Sequence, residues 1–303
     1  MAGTTERDTT AREREIGDEL KRLRVRADLT AADLSKRVGF SASKISRMES
    51  GARGVTEIDA TLFAANCGAS RKEVLHLVGL VREADDGYRL RPHEERLSDE
   101  LPSLIVNEAA ATEIIEFEPL VVPGLLQIEG YARALFRWPN RLTAEQVEGG
   151  VAARMTRQRL LRRRDSPYTT FYVHEGVLRS QVAEPAIMHE QILHLLLSSS
   201  LPRCAVRIIP SRHCPQGVLG TGFRVMRYRE HRPTIYVENH ISSLFLEKTE
   251  DVEVYRKLLA QVAGFALDGG ESREWLAALA SEVEQAKGVS DDLAQPGMAQ
   301  EQL

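Results

Sequence analysis

The chain has 303 residues, 43% of them hydrophobic and 28% charged, with a formal net charge of −4. That length exceeds one small module and predicts about two domains, with enough apolar material for a core without disulfide staples. Three cysteines, Cys67, Cys204 and Cys214, form no C-x-x-C pair, which argues against a disulfide framework or a structural zinc site and for a reducing compartment.

The first stretch, MAGTTERDTTAREREIGDEL, is polar and carries no apolar h-region, so no secretory leader is expected. No apolar run of about 18 residues occurs, so no membrane span is expected and the location is read as cytoplasmic. Residues 1–11 read as a disordered arm. Ile16, Leu20 and Leu23 then recur at helical spacing up to Arg26. Thr30 reads as an N-cap with Asp33 as its capping-box partner, opening a helix over Ala31–Val38 that Gly39 closes in the left-handed conformation. Ser41 caps a helix over Ala42–Glu49, and two more helices follow over Thr56–Cys67 and Ser70–Glu83.

Residues 85–100 are polar and hold Gly and Pro, the texture of a linker. Beyond it the pattern is mixed. A connecting helix is expected over Leu101–Ala111, a strand from Glu113 through EFEPLVV, and helices over Ile128–Phe136 and Thr143–Arg164. Strands follow at Tyr168–Glu175, Cys204–Pro210, Gly222–Tyr228 and Thr234–Asn239, with a helix from Pro185 to about Ser199. Asp251–Leu267 and Glu271–Ala286 read as amphipathic helices, and the rest as a loose tail. The expected architecture is α+β: an all-α domain over 12–84, the linker, a mixed α+β domain over 101–286 and a tail over 287–303.

The segment 30–50 satisfies the requirements of a helix-turn-helix. Leu34 faces the core and the small Ser35 lets the second helix approach. Gly39 supplies the turn. Ile45 and Met48 bury one face of the second helix at i, i+3, leaving the other for the major groove of double-stranded DNA. The exposed set is Ser41, Ala42, Ser43, Lys44, Ser46 and Arg47. Arg47 is the best base reader, because a guanidinium bonds a guanine edge bidentately, and Ser43 reaches a base edge too. Ser41, Lys44 and, beyond the helix, Arg53 are assigned to phosphates. Between Lys21 and Arg53 nine cations stand against Asp28, Asp33 and Glu49, a net charge of about +6 that suits a polyanion.

The stretch LTAADLSKRVGFSASKISRMESGARG resembles the Xre, or lambda-repressor-type, helix-turn-helix family. It departs from that family at Ala31, where a phosphate-contacting Gln is common, and at Ala42, often a polar reader. Readout then leans on Arg47, Ser43 and DNA shape. The remainder, through Phe117-EPLVVPGLLQIEGYARAL, Arg154-MTRQRLL, Phe171-YVHEGVLR, Gln191-ILHLL, Val206-RIIP and Tyr236-VEN, resembles the C-terminal domain of the actinobacterial WhiJ-type and Scr1 antitoxin-like regulators. The resemblance implies DNA binding modulated by a small protein partner and establishes no enzymatic activity. A homodimer on a two-fold operator is expected, with a metabolite as the alternative effector.

Other clusters are weaker. His174 and Glu175 read as strand neighbours with opposite faces. His189 and His194 are five apart on a helix rather than four. Cys204, His213 and Cys214 lack paired ligand spacing. Gly217-VLGTG reads as a turn. Arg154, Arg157, Arg159, Arg162, Arg163 and Arg164 read first as a solvated basic face and second as a surface for DNA or an acidic partner. No enzyme, metal or cofactor is expected.

Overall fold

The computed structural model describes residues 9–83, 87–93, 99, 101–138 and 142–294, the side chains of 286–294 excepted. In chain order its elements begin with α1 (Ala11–Arg26), α2 (Ala31–Val38), α3 (Ala42–Glu49), α4 (Glu57–Asn66), α5 (Arg71–Arg82), β1 (Tyr88–Pro92) and α6 (Pro102–Ala110). They continue with β2 (Glu113–Glu118), α7 (Glu129–Arg137), α8 (Ala144–Arg157), β3 (Tyr168–His174), α9 (Glu175–Arg179) and α10 (Pro185–Ser198). The last are β4 (Cys204–Ile209), β5 (Phe223–Arg227), β6 (Thr234–Glu238), β7 (Ser242–Leu246), α11 (Thr249–Phe265) and α12 (Gly269–Ala294). The class is α+β, helices first and mixed strands and helices after.

Two compact units divide these elements. The first holds the chain up to Ile114 together with Arg224–Arg256, and the second holds Ile115–Phe223 with the chain from Lys257. The helix-turn-helix thus shares a unit with α6 and with strands from far along the chain, which the expected break at 85–100 does not anticipate.

In the first unit the caps form as the sequence dictates. The Thr30 hydroxyl accepts from Asp33 N and the Asp33 carboxylate accepts from Thr30 N. Gly39 has φ 72°, a left-handed value that its missing Cβ permits. Ile16, Leu20, Leu23, Leu34, Ile45, Met48, Phe63 and Leu77 form one buried cluster. Strand β1 replaces part of the expected linker and pairs antiparallel with β7, Leu90 opposite Leu244; β7 pairs with β6, and β6 with β5, also antiparallel. The polar composition misled because β1 alternates with arginines inward: Arg89 is buried, and Arg91 reaches Glu15 at 2.7 Å and Glu83 at 2.9 Å. The parts of the expected linker at 85–86, 94–98 and 100 lie outside the described residues.

The expected arm ends earlier than residue 11. Thr9 and Ala11 are buried, and Thr10 caps α1 in a capping box with Glu13; residues 1–8 lie outside the described residues. The Glu247 carboxylate accepts from Ala11 N at 2.8 Å, so an anion from beyond β7 sits at the α1 N-terminus. Arg14 donates to Asn107 at 2.7 Å and pairs with Glu247 at 3.3 Å, with its guanidinium over the Tyr228 ring.

In the second unit β3 and β4 run parallel, Phe171 opposite Val206, joined through α9 and α10. Leu126, Tyr131, Phe171, Val173, Ile192, Leu195, Val206, Ile208 and Leu276 are at the centre of its core. The helix expected over Thr143–Arg164 stops at Arg157 and tightens into a 3-10 turn over Gln158–Arg162. At that break the Gln158 amide donates to the carbonyls of Gly124 and Gln127. Arg154 leaves the expected solvated face altogether: it is buried, donates to Gln127 Oε1 and lies over the Phe136 ring. Helix α12 continues through Ala294 where a tail was expected; residues 295–303 lie outside the described residues.

Candidate nucleic-acid interface

Helix α3 is presented by three contacts that leave one face uncovered. Ile45 and Met48 are fully buried in the helical core, which fixes its rotation. Its C-terminal end lies against α1 at Gly17, where an added Cβ would stand 2.5 Å from the Glu49 carbonyl oxygen. Its start follows a turn in which the Ser35 hydroxyl donates to the Phe40 carbonyl at 2.6 Å. Ser35 therefore does more than leave space: it holds the turn by a side-chain hydrogen bond.

Ala42, Ser43, Ser46 and Arg47 lie exposed on the remaining face of α3, with Ser41 at its N-cap and Arg53 exposed beyond it. The Ser41 hydroxyl accepts from Lys44 N and keeps its own proton for an outside acceptor. Arg47 makes a long 3.4 Å bond from Nε to the Ser43 carbonyl and joins no ion pair among the described residues. Arg53 likewise joins none among the described residues. Lys44 differs: its ammonium is 2.7 Å from Asp59 and 3.5 Å from the Phe40 ring centroid, a position that ties α3 to α4.

The positive charge of the motif is smaller in the fold than along the chain. Arg22 pairs with Glu19 and Glu73, Arg24 with Glu49, Arg26 with Glu73, and Lys44 with Asp59. Hydrogen bonds from Arg26, then from Ser70, hold the Glu73 carboxyl well below the usual range, so this anchor between α1 and α5 stays ionised at neutral pH. Lys21, Lys36, Arg37, Arg47 and Arg53 are the cations of that span in no ion pair among the described residues, and all five are exposed.

His174, Glu175 and the glycine turn have structural duties. His174 ends β3 and Glu175 opens α9, so they are not strand neighbours. His174 Nδ1 accepts from Gly176 N at 3.0 Å, which leaves Nε2–H to donate to the Cys214 carbonyl at 2.8 Å. Glu175 accepts from Ser211 N and pairs with Arg179. Gly217 and Gly220 have positive φ in the expected turn. No helix among the described residues is long and apolar enough to cross a membrane.

Two family models match the chain. Residues 15–77 match a helix-turn-helix domain, and residues 101–278, more than half the chain, match a domain of unknown function, DUF5753. The chain belongs to the DUF5753 family. In this member the family domain follows a helix-turn-helix, the domain type of DNA-binding regulators, which contains α3 and the uncovered face described above. No curated protein and no solved structure matches the chain.

Proposed function

We propose that this protein is a sequence-specific transcriptional regulator of the Xre type that places α3 in the major groove of double-stranded DNA. The exposed face of α3 carries this reading: Ser43, Ser46 and Arg47 point away from the core while Ile45 and Met48 are buried in it. Arg47 reads a guanine edge, Ser43 a neighbouring base, and Ser41 and Arg53 meet phosphates. Ala42 offers a methyl group only, so DNA shape contributes more of the specificity. The protein acts as a homodimer whose two α3 helices lie about 34 Å apart on a two-fold operator. Its DUF5753 part, as in the WhiJ-type and antitoxin-like regulators it resembles, receives a small protein partner that tunes DNA affinity.

Selection from a random duplex pool tests the reading. An enriched two-fold motif containing guanines is the expected outcome, and binding without any enriched motif contradicts it. Salt dependence checks the separate position of Lys44. Removing one phosphate-binding cation lowers the slope of log affinity against log salt by about 1. Lys44→Met leaves that slope unchanged if the ammonium stays on Asp59, whereas a drop of about 1 shows that it leaves Asp59 for a phosphate.

A further inference from the structure

One end of the second unit carries arginines that join no ion pair among the described residues, with Asp165 as a nearby acid. Strands β3 and β4 are parallel, so Tyr168 and Cys204 begin at the same end. The 3-10 turn Gln158–Arg162 leads into that end, and α10 finishes just before the turn into β4. Thr169 N donates to the Arg203 carbonyl at 2.7 Å, and Arg203 Nη1 donates to the Ser166 carbonyl at 2.6 Å, which stitches the two strand starts together. Arg159 and Arg162 are three apart in a 3-10 turn and therefore share a face. Burial, and then the charge of Arg162, hold the His194 imidazole on α10 below its ordinary pKa, against the opposing charge of Glu190.

Arg159, Arg162, Arg164 and Arg203 are exposed there and join no ion pair among the described residues, while Arg163 is neutralised by Asp165 at 2.6 Å. Of the other surface arginines of the same unit, Arg133 has Glu129 and Glu148 and Arg179 has Glu175 and Glu282, while Arg212 and Arg273 stand singly, each in no ion pair among the described residues. Four such arginines fall in the segments that meet at this end, in a chain whose net charge is −4. Apolar surface accompanies it. Tyr168 is 61% exposed with Arg203 stacked on its ring, and Leu197, on the last turn of α10, is 70% exposed.

We propose that this end of the second unit, built from Arg162, Arg164, Arg203, Tyr168 and Leu197, is the docking surface for an acidic, amphipathic segment of a protein partner. A phosphate backbone matches the cations but leaves the leucine and the tyrosine unpaired. A segment with Asp or Glu beside large apolar side chains satisfies both, and arginine with tyrosine is the composition of protein interface centres. The proposal rests on the partner half of the function above and is independent of its DNA-binding half.

The test uses the immobilised full chain and a displayed library of random peptides, followed by binding of the recovered peptides and of the selected DNA duplex in solution. Three proteins are compared: wild type, the double variant Arg162→Glu/Arg164→Glu, and Leu197→Ser. All three positions are exposed, so stability should hold, as circular dichroism checks. The expected result is enrichment of peptides combining acidic and large apolar residues. Their affinity falls by about tenfold or more in the double charge reversal and measurably in Leu197→Ser, and duplex affinity is unchanged in both. Absence of enrichment overturns the proposal, as does equal peptide binding by wild type and charge reversal, or binding of plain poly-glutamate as tight as that of the recovered peptides. Loss of duplex affinity in the reversal without loss of peptide affinity assigns the surface to DNA instead. Failure of duplex binding by wild type with peptide binding intact counts against the DNA-binding half alone.

Discussion

Replacing Gly17 by Ala lowers the thermal midpoint of the protein, although the same change in most helices raises it. Glycine in a helix interior is less favourable than alanine by about 0.8–1 kcal/mol, so the default effect is stabilisation. Here the new Cβ would stand 2.5 Å from Glu49 O and 2.9 Å from Glu49 C and Met48 O. Those atoms are backbone of α3 and its last turn, not the end of a flexible side chain, so α1 and α3 must separate. Overpacking of this kind costs about 1–3 kcal/mol, and more where backbone must move. Gly149→Ala is the control: it lies exposed in α8 and its added Cβ meets nothing within 4 Å. Thermal unfolding followed by circular dichroism should show a fall of several degrees for Gly17→Ala and no fall for Gly149→Ala. A rise for both would show that the helices do not pack this closely.

Glu247→Ala has a larger expected effect. The carboxylate of Glu247 accepts from Ala11 N at 2.8 Å and from Thr234 Oγ1 at 3.0 Å, and pairs with Arg14 at 3.3 Å and Arg89 at 3.9 Å. Glu247, Arg14 and Arg89 are all buried. Burial holds the Arg89 guanidinium below its ordinary pKa, and the charge of Glu247 opposes that shift. Removing the acid leaves two buried cations short of their counter-charge and the first N–H of α1 without its acceptor. Breaking one side of a buried pair costs about 3–5 kcal/mol. Urea unfolding of the full chain measures it. Glu247→Gln, which keeps an acceptor oxygen but not the charge, should fall between wild type and Glu247→Ala. A loss below about 1 kcal/mol for Glu247→Ala contradicts a buried, charge-balanced anchor.

These two residues mark what is legible in the sequence and what is not. The bounds of α2 and α3, the Thr30 capping box and the left-handed Gly39 follow from local chemistry, so the sequence reading finds them where the structure has them. The buried pair Ile45 and Met48 follows from helical periodicity. Gly17 carries a local signal, a glycine inside a helical pattern, whose meaning depends on a partner 32 residues on, at Glu49. Glu247 carries no local signal for its role, because the helix it caps begins at Ala11. Strand β1 is hidden for the same reason: its arginines look like solvent residues until Glu15 and Glu83 are folded against them. Within the candidate interface, the exposure of Arg47 is readable from spacing alone. The capture of Lys44 by Asp59, on the following helix, is not.

Base reading by α3 depends above all on Arg47. Its most direct test is the affinity of wild type and Arg47→Ala for the duplex enriched by selection, titrated at fixed salt. Arg47 is exposed, so the variant should keep its fold. The expected result is a loss of about 1–3 kcal/mol, roughly 5- to 150-fold in Kd, with relaxed discrimination at one guanine position. Equal affinity and equal specificity for the two proteins would contradict a base-reading role for Arg47.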